Sequence, residues 1–342
     1  MKKIIRILFS LLFLINTSVF AADIEIQPTI LSKTNNQDRI WVGAFQIVWN
    51  DFMNKIVHNP IRFREGTPTF VMELNQQTFT TDEISENCYY KYAGKIKHNT
   101  KKQISKGLRK KLKESSSLLD KLELTPRNDK YLIYAMLKKE FEFINAFDKL
   151  GTSAFKDEPA EFFGIGENSN KKVLGRGVEI LFYNDPSDYA IKLLTTGCDE
   201  VFLYRNATNK PFNYIYSDML KKQKNFTGKR EFKKVDELKI PNISFFEEKV
   251  FEELTDKRIM GTNIVIDKAI ESIKFDLNNK GIKLKAEAGL TAEVTSILPP
   301  EELVPRLFYF DDTFVIFLKE KEKSTPYFAL RINDIKKFYN KK

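Results

Sequence analysis

Residues 269–303 read AIESIKFDLNNKGIKLKAEAGLTAEVTSILPPEEL, and the fold turns on how this stretch divides. Ile270, Ile273, Phe275 and Leu277 are the apolar members of a strand, with Glu271, Lys274 and Asp276 between them. Asn278-Asn279-Lys280-Gly281 is a break, because Asn and Gly enter positive φ at the lowest cost. Beyond it a period of two returns, with Ile282, Leu284, Ala286 and Ala288 on one side and Lys283, Lys285 and Glu287 on the other. Pro299, Pro300 and two acids close the pattern. The stretch is a strand, a glycine hinge, and a second segment that carries the pattern of a strand.

Downstream, residues 305–318 read PRLFYFDDTFVIFL, an aromatic strand, a polar turn and a hydrophobic strand, and 326–333 read PYFALRIN, a last strand. This order of parts resembles the serpins. In that family a strand of the main sheet runs into an Asn/Glu-Lys/Glu-Gly hinge and an alanine-rich exposed loop. The resemblance implies an α+β fold: a large mixed β-sheet with helices and an exposed reactive-centre-like loop. Its hinge would be Asn279, Lys280, Gly281, Ile282, Lys283 and Leu284.

The amino terminus, MKKIIRILFSLLFLINTSVFA, has the basic start, apolar run and small-residue end of a secretory signal peptide, so residues 1–21 are expected to be removed. No other apolar run is long enough to span a bilayer. The expected location is therefore secreted or periplasmic, with one domain over 22–342 and a monomeric state. Of the formal charge of +10, Lys2, Lys3 and Arg6 leave with the leader, which leaves +7. That basicity is too moderate to point to nucleic acid, and 42% hydrophobic and 13% aromatic residues suffice for a large core. Cys88 and Cys198 are the two cysteines. They form either one disulfide, for which chain entropy gives roughly 4–5 kcal/mol, or two buried thiols, and the sequence leaves both open.

Taken in order, Phe45, Val48, Trp49, Phe52 and Ile56 recur at helical spacing and predict an amphipathic helix over 40–57. The resemblance implies a short buried strand next, which Ile61-Arg62-Phe63 would supply, and Thr81-Asp82-Glu83 begins a helical piece with Thr80 or Thr81 as N-cap. From Lys91 to Lys113 there are ten Lys/Arg and no acid, with Ile104, Leu108 and Leu112 as one apolar stripe. The resemblance makes Lys101, Lys102, Lys106, Arg109, Lys110 and Lys113 contacts for a polyanion; the plainer reading, a solvated helix face, is what charge runs more often are. Residues 131–137 resemble a central strand, and 178–183 with 189–194 form a hairpin around Asn184-Asp185-Pro186-Ser187. Residues 210–234 read as an exposed connection with a short helix near 216–222, while the resemblance makes 235–245 two strands about Pro241 and 248–254 the helix after them.

Catalytic signatures are missing. The histidines are His58 and His98, both in helix-end or lysine-rich surroundings, and neither a triad nor a metal-ligand spacing can be assembled. The glycines of Gly164-Ile165-Gly166 and Gly175-Arg176-Gly177 lack the dinucleotide fingerprint. The expectation is a protein that is not an enzyme and needs no cofactor or metal.

The resemblance implies inhibition by loop cleavage and strand insertion. A serine or cysteine protease would cut among Thr295, Ser296, Ile297 and Leu298; none is basic, which favours an elastase- or chymotrypsin-like target. The segment from Ile282 would then enter the main sheet, burying Ile282, Leu284, Ala286 and Ala288. The alternative is a non-inhibitory binding or scaffold protein on the same fold. It draws on the bulk of Ile282 and Leu284, since inserting a large side chain into a packed sheet costs about 1–3 kcal/mol per site.

Overall fold

The computed structural model describes residues 24–206, 208–282 and 304–339. The expected leader at 1–21 lies outside them, as do Lys283, Leu284 and Thr295 to Leu298. The described chain runs β1 (Glu25–Gln27), β2 (Arg39–Val42), α1 (Gly43–Phe52), α2 (Thr69–Leu74), β3 (Tyr89–Lys95), α3 (Thr100–Lys111), α4 (Ser117–Lys121) and β4 (Lys130–Leu137). It continues through β5 (Phe141–Glu142), β6 (Asp148–Phe155), β7 (Glu158–Ile165), α5 (Lys171–Leu174), β8 (Val178–Asp185), β9 (Asp188–Leu194), β10 (Asp199–Arg205) and α6 (Phe212–Asn225). Then come β11 (Glu237–Pro241), β12 (Ile243–Val250), β13 (Lys257–Arg258), β14 (Val265–Leu277), β15 (Gly281–Ile282), β16 (Leu307–Tyr309), β17 (Phe314–Glu320) and β18 (Phe328–Ile332). The architecture is α+β.

Three larger sheets carry the strands. One has the order β1-β2-β18-β17-β10-β9-β8, a second β16-β11-β7-β6, and the main sheet β12-β14-β4-β3 with β13 beside β14. The expected hairpin is β8–β9, and the expected terminal strands are β16, β17 and β18. α1 packs on β3 and β4, and one continuous apolar core joins it to residues of all three sheets, including Phe45, Trp49, Ile133, Leu137, Ile273, Phe163 and Phe317. A smaller cluster lies on the outer face of the main sheet, where α3 and α4 cover Leu132, Tyr134, Met136 and Ile270.

Four expectations change. Ile40 to Val42 belong to a fully buried strand, and the helix begins only at Gly43; it is buried on nearly every side and ends through a π-helical turn, Met53–Val57, with His58 at φ 60. A run apolar on both faces hides the boundary, since strand and helix then look alike. Ile61-Arg62-Phe63 is not a strand: Phe63 makes a single bridge to Ile259. Residues 248–254 continue β12 to Val250 and then make one short turn, Glu252–Leu254. In place of an exposed connection at 210–234, α6 covers fourteen residues and buries Phe212, Ile215, Tyr216 and Met219 against the seven-stranded sheet.

Candidate functional site

β14 is the strand whose reading opened the sequence, and its two edges are satisfied differently. β12 pairs with it antiparallel from Ile243↔Leu277 to Val250↔Ile270. On the other side β4 pairs with it parallel, from Val265↔Lys130 to Ile273↔Leu137, with a bulge between Ile266 and Lys268. β4 is in turn antiparallel to β3. The β4–β14 seam is thus the one parallel ladder of this sheet among the described residues, and parallel pairing is slightly the weaker kind. No strand lies between β4 and β14 along these eight pairs.

At its carboxyl end β14 outruns β4, so Lys274 to Leu277 pair with β12 alone. Here the seam has a mouth, and ion pairs close it. The Glu114 carboxylate stands 3.1 Å from Lys138 Nζ, one residue past β4, and 3.2 Å from Lys274 Nζ, one residue past the last seam pair. Burial pushes the Lys138 ammonium down, but Glu140 and Glu114 outweigh it and hold it above the ordinary lysine range.

The hinge follows. Asn278 and Gly281 exchange both backbone hydrogen bonds, each 3.0 Å, and the Lys280 N–H donates to Asn278 Oδ1. Gly281 has φ +121, and a Cβ there would stand 2.3 Å from the Phe141 carbonyl oxygen; glycine is required by conformation and by space. β15 pairs with β5 through Gly281↔Glu142 and Ile282↔Phe141, and the Phe143 and Phe147 N–H groups donate to Lys280 O and Asn279 O. Asn279, Lys280, Gly281 and Ile282 are therefore brought together and pinned to residues 141–147, the segment just after β4. On the other side of residues 283–303, Arg306 is fixed as firmly. Its guanidinium donates to both oxygens of fully buried Asp236 and to the carbonyls of Lys229 and Glu231.

Above the seam lies a strap, residues 112–124. Glu248 on β12 is its anchor, accepting from the hydroxyls of Ser116 (2.5 Å), Ser117 (2.8 Å) and Ser272 (2.9 Å) and from the Leu118 N–H. Ser116 also caps α4, and Leu119 seats the strap in the outer cluster. Beneath the seam is Glu271 on β14, with no exposed surface and no well-aligned hydrogen bond at either carboxylate oxygen, the Phe45 N–H being the one donor directed at it.

Elsewhere the basic run divides. Lys91 and Lys95 lie in β3, and α3 buries Ile104 and Leu108 while exposing Lys102, Lys106, Arg109 and Lys110. These four line one shallow depression with Ser105. Lys113 is exposed beyond the helix, and half-buried Lys101 donates to the Asp120 carbonyl at 3.1 Å. Cys88 and Cys198 are free, the first half-buried and the second exposed, so neither the disulfide nor the pair of buried thiols is found. Among the described residues no helix is long and apolar enough to cross a membrane, and no three His, Cys, Asp or Glu side chains are grouped to hold a metal ion.

Of these features, the sequence singled out the Asn278–Gly281 turn and the basic residues of α3. Sequence reasoning missed Glu114, Glu248, Arg306 and Glu271, for which the only signal was a charged residue beside or within an apolar strand pattern.

No protein-family model and no curated protein sequence matches this chain. Among solved structures it is similar to Serpin48, a highly specific serpin of the insect Tenebrio molitor, at 12% identity and a TM-score of 0.45 over 89% of this chain and 94% of that one. Human thyroxine-binding globulin complexed with its hormone is similar at 10% identity and 0.46 over 70% of this chain and 65% of that one. Mouse protein-Z dependent protease inhibitor is similar at 12% and 0.44 over 69% and 63%. The matched regions span just under two thirds of the latter two.

Proposed function

We propose that this chain is a serpin-like extracytoplasmic inhibitor of proteases, monomeric and not itself an enzyme, that acts by cleavage of its loop and insertion of the freed segment between β4 and β14. The observation that carries the reading is the parallel seam beside the hinge. A segment that leaves β14 by a tight turn runs antiparallel to it and, since β4 is parallel to β14, antiparallel to β4 as well. Its entry replaces one parallel ladder with two antiparallel ones and makes β12, β14, the new strand, β4 and β3 antiparallel throughout. The unpaired edge at Lys274 to Leu277 is where entry would start.

Cleavage falls among Thr295, Ser296, Ile297 and Leu298 on this reading, which suits an elastase- or chymotrypsin-like serine or cysteine protease. The test is to nick the protein with elastase, map the cut, and compare thermal unfolding before and after. A large rise in Tm for a cut at 295–302 is expected; unchanged Tm after such a cut overturns insertion.

A second reading, a non-inhibitory binding or scaffold protein on this fold, is favoured by one feature. Gly281 and Ile282 already pair with β5, and entry into the seam must break that pairing. The same experiment separates the two, because a fold that is already relaxed gains nothing on cleavage. On either reading Lys102, Lys106, Arg109 and Lys110, with Lys101 and Lys113 beside them, offer a polyanion a cationic face. No acid forms an ion pair with those four side chains among the described residues.

A further inference from the structure

Glu271 is the anomaly of the main sheet. Buried carboxylates are ordinarily paired or hydrogen-bonded, because an isolated charge in an apolar interior is very costly. This one is wholly buried, on the strand that forms the seam; neither oxygen has a well-aligned hydrogen bond, and the single donor directed at it is the Phe45 N–H. The groups around it are few. Across the seam it stands opposite Ala135 of β4, and Ala269 and Ile273 flank it on its own face of β14. The Phe45 donor belongs to the first turn of α1 and makes a weak hydrogen bond that favours the charged carboxylate, and the helix has neither a capping side chain nor an acid in its first turn. Lys249 on β12 is directly opposite and is the one charge acting on it, but its ammonium donates to the Ile26 carbonyl at 3.1 Å and lies 5.0 Å from the Phe251 ring centre.

We propose that Glu271 sets how readily the seam opens: the closed sheet accepts its carboxyl only in the neutral form, and ionisation is coupled to β14 parting from α1 and β4. Burial drives the carboxyl well above the ordinary glutamate range, and Lys249 and the Phe45 N–H oppose this without reversing it. The closed state therefore holds its proton more tightly than the open or unfolded chain does. The stability it contributes is complete below the unfolded glutamate value and is lost as pH rises toward the folded one. Glu271 is a positioning residue here, and its part in loop insertion rests on the reading above; the coupling of its proton to seam opening does not.

The test uses uncleaved protein, so its outcome is independent of whether cleavage stabilises the fold. Hydrogen exchange is followed by mass spectrometry on peptides covering β4 and β14 from pH 5 to 9, and each rate is divided by its intrinsic rate to give an opening constant. For wild type the constant should rise with pH, by at most about tenfold per unit because one proton is involved. E271Q, neutral at every pH, should be flat. K249M, lacking the opposing cation, should carry the rise to higher pH. Equal slopes in wild type and E271Q overturn the proposal. So does a flat wild type with a uniformly looser E271Q, which would make the carboxyl a fixed hydrogen-bond partner. Should E271Q fail to fold, an unmoved profile in K249M overturns it as well.

Discussion

Arg306 is the residue that fixes the chain just before β16. Its planar fork engages both Asp236 oxygens, and the same guanidinium reaches two carbonyls, a set of donors that an ammonium cannot reproduce. The Arg306 N–H also donates to Asp236, and the Lys233 N–H donates to its other oxygen. R306K should keep the charge and lose the fork, leaving buried Asp236 under-satisfied, at a cost on the order of 1.5–3 kcal/mol. Thermal unfolding measures that cost, and faster exchange in β16 and β11, which pair at Glu237↔Leu307, localises it. Unchanged stability would mean that the backbone donors alone hold Asp236. In the sequence Arg306 was one cation after a proline, whereas Gly281 announced itself, because a residue that must take φ +121 is almost always glycine. Conformational demands leave a mark on the local sequence; partnerships across seventy residues do not.

At the scale of elements the strap and β14 act together. Glu248 holds the strap down through two of its hydroxyls and one N–H and also accepts from Ser272 of β14, and Glu114, near the strap's start, closes the mouth of the seam. The two should separate experimentally. E248A strips the partner from Ser116, Ser117 and Ser272, and about 1–3 kcal/mol for the groups left unsatisfied predicts faster exchange across 116–122 and a lower Tm. E114Q removes only half-screened ion pairs, so its effect on Tm should be small, while exchange at 274–277 and at 138 rises. A Tm loss in E114Q as large as that of E248A would contradict this division. The hairpin at 178–194 and the strands after Pro305 were legible because period and turn chemistry agree there. β12 was misread as a helix beyond Glu248 since Glu248 and Lys249 put a charge on each face, one held by the strap and the other by the Ile26 carbonyl, which breaks the alternation of a half-buried strand. β14 was read short by four residues because the bulge at Ile266/Lys268 shifts the pattern that marks its start.

At the scale of the whole molecule, one buried network ties the main sheet to the seven-stranded sheet. Lys139, two residues past β4, places its ammonium 2.7 Å from Asp199 at the start of β10 and 2.8 Å from Glu320 at the end of β17. Tyr327 donates to Asp199, Ser85 donates twice to Glu320, and the ammonium lies 4.8 Å from the Tyr327 ring centre. Burial pushes Lys139 down, yet Asp199 and Glu320 raise it above its ordinary value; burial pushes Glu320 up, and the hydrogen bonds from Lys139 and Ser85 bring it below its own. The signs fix the pH window. Glu320 contributes stability that is present above its unfolded value near 4.5 and is lost as pH falls through the lower folded value, and Lys139 contributes stability lost only in strong alkali. K139M should therefore do more than loosen a surface pair. It leaves two buried carboxylates facing each other, at a cost of roughly 3–5 kcal/mol, and E320Q added to it should recover part of that loss by removing one uncompensated charge. Between pH 6 and 3 wild type should lose stability more steeply than the double variant. If the two acid profiles run parallel, the network is not the link between the sheets, and any opening of the main sheet proceeds without reference to β10 and β17.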